Sequence, residues 1–364
     1  MGLSKIPKGP LREGFTTGTS ATAAAKAALW AIINQNALQE VSVSLPIDKT
    51  LTIPIHYCDF TSEWAKCSII KDAGDDPDVT NKAEIGCEIT LIQEKGAVHF
   101  SAGEGVGIVT LPGLQLEVGE PAINPVPRQM ICAAMRKLLH DSNWNLGVHV
   151  KVFVINGVQL AKRTLNERVG IMNGLSILGT TGIVKPYSSA SYIASIEQGV
   201  DVAIANGIDE LVINSGARSE KYLRALFPTF EEQAFIHYGN WIGETLRKIS
   251  SSSIRKINIG IMLGKAAKLA AGQLDTHSCV SSWDKKFIVA LAKKSGYSLT
   301  QQEAVHQLNM AGRLPEVFPF EPNEIFYQQL LACCYQQSKS ILNQIKLDLF
   351  LIDKNGVFIK YQQL

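Results

Sequence analysis

Glycine, threonine, aspartate and proline gather in five short blocks of this chain. No other feature constrains its folding as much. The blocks read GFTTGTSATAAAKAA (14–28), KDAGDDPDVT (71–80), GEGVGIVTLPG (103–113), GEPAINPVPRQMI (119–131) and GLSILGTTGIVKP (174–186). A sixth, MLGKAAKLAAG (262–272), follows, with THS at 276–278. Glycine at this density, beside hydroxyls and carboxylates, means backbone bent tightly around something. The expectation is a ligand rather than a core.

Composition removes several classes of function. The 364 residues allow two domains and a large core. Apolar residues at 46% and charged residues at 19% are an ordinary globular mix. A net charge of +2 is too balanced to argue for nucleic acid or an anionic membrane surface as partner. No apolar run reaches the roughly 18 residues of a membrane span. The start, MGLSKIPKGPLREG, has neither the apolar centre of a signal peptide nor a hydroxyl at position 6, which is Ile6. Seven cysteines form no C-x-x-C pair, which points to buried free thiols and a cytoplasmic protein.

Residues 19–35 read as a helix capped by Thr19 or Ser20, with an alanine-rich body. β-rich stretches follow at 41–45, 51–55, 67–71, 84–92 and 97–101. A helix over about 127–140, opened by Pro127, precedes strands over 148–155 and Ser176–Leu178. From about residue 187 helices (188–205, 219–226, 240–249, 264–272) alternate with strands (210–214, 257–263). Helices near 284–295, 299–310 and 322–345 follow, then a hairpin of 347–353 and 357–360 around Lys354-Asn355-Gly356. The expected fold is an α+β N-terminal domain with a mixed sheet, residues 1–186. An α/β Rossmann-like C-terminal domain follows, residues 187–364.

The blocks carry the candidate chemistry. Gly14 to Lys26 is a Gly/Thr loop entering a helix, whose N-terminus offers unpaired N–H groups and partial positive charge to a carboxylate or phosphate. Thr16, Thr17, Gly18, Thr19 and Ser20 are therefore candidate contacts, although capping alone also uses such residues. The G-x-x-x-x-G-K-[ST] phosphate loop is absent. Lys71 to Thr80 holds Asp72, Asp75, Asp76 and Asp78 beside one lysine. Asp turns account for such a run; so does a cluster holding a cation, a ribose or a sulfonium-bearing amino acid. Its spacing does not match a calcium loop. Gly103 and Gly105 lack the third glycine of a dinucleotide fingerprint, leaving close approach to a flat ligand or a plain turn. Asn124 and Arg128 belong to a proline-stiffened entry to a helix. Gly179-Thr180-Thr181-Gly182 sets two hydroxyls between glycines, a loop suited to an anion or a carbonyl. Gly264 lies in a strand–Gly–helix turn with Lys265 and Lys268, and His277 is near in sequence. Serine-hydrolase, zinc and kinase signatures are missing, so the profile is transfer chemistry driven by positioning.

Taken together, GFTTGT, KDAGDDPDVT, GEGVGIVT-x-PGL, GEPAINPVPR-x-MI, TLNERVGI, G-x-SILGTTGIV-x-P, GK-x-x-KLAAG and THS resemble the CbiD family in their order, over roughly residues 11–290. Its members methylate C-1 of cobalt-precorrin-5B in anaerobic cobalamin biosynthesis. Ser20 stands where the family commonly has Cys, and Cys279 and Ser282 where Arg and Asp are common. The resemblance implies S-adenosylmethionine as co-substrate, a cobalt-containing tetrapyrrole as acceptor and no protein-bound metal. Asp72, Asp75 and Asp76 would face the sulfonium or take a proton. Gly179, Thr180, Thr181, Gly182 and Gly264 would hold the donor. Thr16, Thr17, Gly18, Thr19, Ser20, Gly103, Gly105, Asn124, Arg128, Lys265 and His277 would contact the macrocycle and its carboxylates. Neighbouring pathway enzymes and a second copy of the chain stay open as partners. Two readings compete: a non-catalytic tetrapyrrole carrier, and a nucleotide-dependent kinase or ligase, which lacks any ATP-phosphate motif.

Overall fold

The computed structural model describes residues 9–277 and 282–362. The chain divides between Ser189 and Ala190 into two compact units. The first unit begins with β1 (Gly14–Phe15), α1 (Thr17–Asn34) and a hairpin of β2 (Glu40–Ser44) and β3 (Thr50–Pro54). Then come β4 (Tyr57–Phe60), β5 (Trp64–Ile70), β6 (Glu84–Ile92), β7 (Val98–Ala102), β8 (Ile108–Val109), α2 (Pro125–Asp141), β9 (Gly147–Val154), α3 (Gly157–Ala161), β10 (Ile171–Met172) and β11 (Ile183–Val184). The main sheet has the order β4-β5-β6-β9-β7, antiparallel except for β7 beside β9.

Helix α1 lies across β5 and β6 and against α2, and it is buried without a break from Thr17 to Ala25. Alanine serves both demands of that position: it has the highest helix propensity, and its small side chain admits neighbours on every face. The cap is Thr16, whose hydroxyl accepts from Thr19 N, three residues earlier than a cap at Thr19 would stand. Helix α2 likewise opens at Pro125 rather than Pro127.

Ser176–Leu178 is not a strand. Ile177 forms a single bridge to Ile123. The carbonyls of this segment leave the ladder: Ile177 O accepts from Asn124 N at the start of α2 (2.9 Å), and Leu178 O from Gly18 N in α1 (3.0 Å). One short segment thus supplies acceptors to two helix N-termini.

The second unit contains α4 (Ser189–Ala205), β12 (Glu210–Asn214), α5 (Ala217–Leu226), β13 (Phe235–His237), α6 (Ile242–Ser250), β14 (Lys256–Met262), α7 (Leu263–Ala270), α8 (Lys285–Lys294), α9 (Leu299–Gln307), α10 (Ile325–Leu342), β15 (Lys346–Ile352) and β16 (Phe358–Lys360). Its sheet has the order β13-β12-β14-β15-β16. The first four strands run parallel and β16 closes antiparallel, as the hairpin reading requires. β14 is buried from Ile257 to Ile261, as befits a strand covered on both faces. The molecule is therefore mixed α/β. Counted within the unit, the strand order is 2-1-3-4-5, with its topological switch between β12 and β14. Among the described residues no helix is long and apolar enough to cross a membrane.

The glycine blocks have a structural purpose that the sequence leaves hidden. An ideal Cβ on Gly14 would lie 2.2 Å from the Ala73 carbonyl carbon, and one on Gly74 2.1 Å from Arg12 O. At Gly105 it would lie 2.1 Å from Val154 O, and at Gly174 2.5 Å from the Gly105 carbonyl. Backbone of one block presses on backbone of another. The blocks are joined further by β1 with β11 and by the Val106–Leu175 and Ile108–Pro121 bridges. Gly105→Ala should cost about 3 kcal/mol or more, because positive φ and a backbone clash act together. Gly264→Ala, where a Cβ meets nothing, should stabilise by about 0.5 kcal/mol. Urea unfolding of the two variants checks this pair of opposite signs.

Candidate active site

Each candidate of the first unit can be placed. At the start of α1, Thr16 N donates to Gly182 O (3.0 Å), and Thr19 Oγ1 to the same carbonyl (2.8 Å). Thr17 Oγ1 accepts from Leu178 N (2.8 Å). Ser20 Oγ donates to Thr16 O (3.0 Å). Thr16, Thr17, Gly18, Thr19 and Ser20 are all buried. The acceptors sought in a ligand are the chain's own carbonyls, from the 174–186 block. The close approach of residues 178–182 brings those carbonyls to the head of α1.

Gly179, at φ +142, backs onto the Thr16 side chain, and Gly182, at φ +83, onto Leu45 and Thr19. Thr181 Oγ1 stays local, on Ile183. Thr180 is exposed. Gly103 and Gly105 abut Val152 and Val154–Gly157 backbone, so the chain itself fills the approach that a flat ligand was expected to use. Arg128 is consumed internally: it donates to Ile123 O (2.7 Å), Glu120 Oε1 (2.8 Å) and Pro121 O (3.0 Å). It braces its loop. Asn124 stands at the head of α2 without a side-chain cap bond.

The aspartate run separates into distinct roles. Lys71 is almost fully buried and its ammonium sits 2.6 Å from Asp78 Oδ2. Asp78 also accepts from Thr80 N and Thr80 Oγ1, both at 2.7 Å. Burial pushes the Asp78 carboxyl up, but Lys71 and the Thr80 bonds outweigh it and hold it below the usual carboxylate range. Asp72 pairs with Arg12, which holds its carboxyl low; the second contact is Arg12 Nη2 to Asp72 Oδ1 at 2.8 Å. Asp75 and Arg12 are joined twice: Arg12 N donates to the Asp75 carboxylate Oδ2 (2.7 Å) and Asp75 N to Arg12 O (2.9 Å). Asp76 is the exception. Burial pushes its carboxyl up, with Asp78 adding to the effect, against a 2.8 Å bond from Tyr187 N that lowers it.

Asp72, Asp75 and Asp76 therefore lie together, tied to residues 12–15 and 187, and Phe15 N donates to Asp72 O (2.8 Å). Sequence reasoning missed Arg12, a charged residue beside a block rather than in one, and the pairing of Lys71 with Asp78. Asp78→Asn should cost about 3 kcal/mol at neutral pH by stranding a buried ammonium, and adding Lys71→Met should recover part of that loss. The Asp78 contribution is present above its unfolded value of 3.8 and fades as pH falls through the lower folded value. Denaturant midpoints of wild type, single and double variants between pH 7 and pH 3 read both effects.

In the second unit, Lys265 Nζ donates to Gly239 O (2.6 Å), Asn240 Oδ1 (2.5 Å) and Thr276 Oγ1 (3.1 Å). Burial, then Lys268, lowers its pKa to about 8. Lys268 Nζ donates to Thr276 O (2.9 Å). Both lysines tie the 239–240 loop and Thr276 to α7. His277 N donates to Asp275 Oδ1 (2.9 Å). An ideal Cβ on Gly264 meets nothing within 4 Å, so that turn is open. Cys279 lies outside the described residues, and Ser282 is exposed. The described cysteines carry free thiols.

Residues 4–186 match the CbiD family model. A cobalt-precorrin-5B C(1)-methyltransferase of Geobacillus sp. (strain WCH70) is 41% identical over 350 residues, covering 96% of each chain. One from Prosthecochloris aestuarii is 43% identical over 330 residues, 90% of this chain and 89% of its own. A crystal structure of a cobalamin biosynthesis protein from Archaeoglobus fulgidus, 28% identical, covers 74% of this chain and 83% of that one with a TM-score of 0.41.

Proposed function

The chain belongs to the CbiD family, and from that premise we propose that it is a cobalt-precorrin-5B C(1)-methyltransferase of cobalamin biosynthesis. The observation that carries this is identity of 41% along 96% of both chains.

The methyl donor is S-adenosylmethionine. A sulfonium is already an activated leaving group, so the methyl moves by in-line displacement: the C–S bond breaks as the bond to C-1 forms, and sulfur leaves as a neutral thioether. The carbon nucleophile belongs to the conjugated macrocycle. The protein has to align the two and exclude water, with no covalent intermediate of its own. The positive charge lost by sulfur passes to the methylated macrocycle and is discharged as a proton. Asp76 is the residue for that proton, because burial raises its carboxyl toward working pH while its two neighbours serve Arg12. Asp75 and Thr180 are exposed, Asn124 is partly so, and these three are the polar contacts offered to the macrocycle. The Rossmann-like reading of the second unit rests on its parallel strands alternating with helices.

Anaerobic incubation with methyl-labelled S-adenosylmethionine and cobalt-precorrin-5B generated in situ should place one label on C-1, located by mass spectrometry and NMR. A folded protein that binds the macrocycle and transfers nothing is a carrier, and that outcome overturns the enzyme reading. Asp76→Asn keeps the Oδ1 acceptor for Tyr187 N and removes a carboxylate whose burial opposes ionisation. Its unfolding midpoint at pH 7 should therefore equal or exceed that of wild type while turnover falls about 100-fold. Unchanged turnover removes Asp76 from the chemistry.

A further inference from the structure

In the parallel sheet of the second unit, β12 and β14 are neighbours whose following helices leave toward opposite edges. A crevice at their carboxyl ends is the general result of such a switch. Above β12 the chain turns through Ser215 and Gly216 into the ten-residue helix α5. Gly216 has φ +144, and a Cβ there would meet nothing within 4 Å. Helix α5 has no side-chain cap, and no acceptor among the described residues meets the N–H groups of Ala217, Arg218 or Ser219. In α1 the corresponding donors are met by Leu178 O and Thr16 Oγ1.

A second observation is independent of that helix end. Asn214, the last residue of β12, is fully buried. Its Oδ1 accepts from Gly216 N (2.9 Å), which fixes the carboxamide directly beneath the turn. Its Nδ2 has no partner. A buried amide donor without an acceptor is costly, and a bound acceptor removes that cost. The charges around the turn suit an anion. Arg218 is exposed in the first turn of α5, with Nη2 on Lys354 O (2.7 Å). Glu220, the one acidic group in that turn, is matched by Arg224 (2.7 Å) and by His237 on β13.

We propose that this turn binds the amino-acid carboxylate of the methyl donor, with Asn214 Nδ2 and the first-turn N–H groups of α5 as its donors and the open Gly264 turn above β14 beside it. The inference rests on the reading of S-adenosylmethionine as donor. The acetate and propionate groups of the macrocycle carry the same chemistry, and the test separates the two sources.

The experiment is calorimetric titration of S-adenosylhomocysteine and of 5′-methylthioadenosine, which lacks the carboxylate, into wild type, Ala217→Asp and Ala217→Lys. Ala217 is exposed and begins α5, so an acidic residue there favours the helix and the variant folds. Ala217→Asp should weaken S-adenosylhomocysteine about tenfold by charge repulsion while leaving 5′-methylthioadenosine nearly unchanged. Ala217→Lys should bind S-adenosylhomocysteine at least as well as wild type. Equal affinity in wild type and Ala217→Asp overturns the proposal. So does an effect of Ala217→Asp confined to the KM of the macrocycle, which assigns the turn to a substrate carboxylate. Wild type that binds neither nucleoside overturns the donor reading itself, a result distinct from either.

Discussion

Backbone pressed on backbone is the contact from which the first unit is assembled. At Gly14, Gly74, Gly105 and Gly174 a single methyl group would fall within 2.1–2.5 Å of another segment's main chain. Such contacts give little dispersion energy each, but they set distances. Residues 12–15 can reach 72–75 only because both sides lack side chains at the meeting point. The same economy brings 103–107 against 152–157 and 174. The hydrophobic core beneath, built from α1, α2 and the faces of β5, β6 and β9, supplies the driving force. The glycines decide which loops that force brings together.

Polar groups in these loops are mostly spent inside the protein. Thr17 and Thr19 serve carbonyls of 176–182, Arg128 serves its own loop, and Lys71 serves Asp78. Of the proposed contacts, Asp75 and Thr180 are exposed and Asp76 and Asn124 partly so. A transfer reaction suits that arrangement, because alignment demands a rigid frame more than it demands many reactive groups. The second unit solves a different problem, presenting open turns at the carboxyl edge of a parallel sheet.

Regular elements with strong periodicity were legible before any coordinates: α1, β6, β9, α4, β14 and the closing hairpin fall within a few residues of their expected spans. β4 and β13 were not. Each is four residues or fewer and held at an edge by pairing, so tertiary contact rather than propensity creates it. The glycine blocks were recognised as special, and their convergence is real. Which backbone they meet is not legible, since a sequence records that a Cβ is forbidden and not what occupies its place. The burial of Lys71 is not legible, because charge arithmetic over residues 71–80 carries no burial. Asn214 and Gly216 lie in INSGARSE (213–220), which matches no phosphate or dinucleotide pattern, whereas Gly264 stands in a clearer strand–Gly–helix turn.

Helix α1 is made before its partners, yet Thr17 bonds to Leu178, 161 positions later. Its sheet partners β5, β6 and β9 also follow it. An alanine-rich helix can begin to form early, but its first turn stays unfinished until Gly182 has been made, 163 positions after Thr19. Contacts of that span carry a loop-closure cost that only later burial repays. During translation the nascent chain therefore carries this apolar helix before the sheet that covers it is complete, and transiently exposed apolar surface of that kind is prone to aggregation.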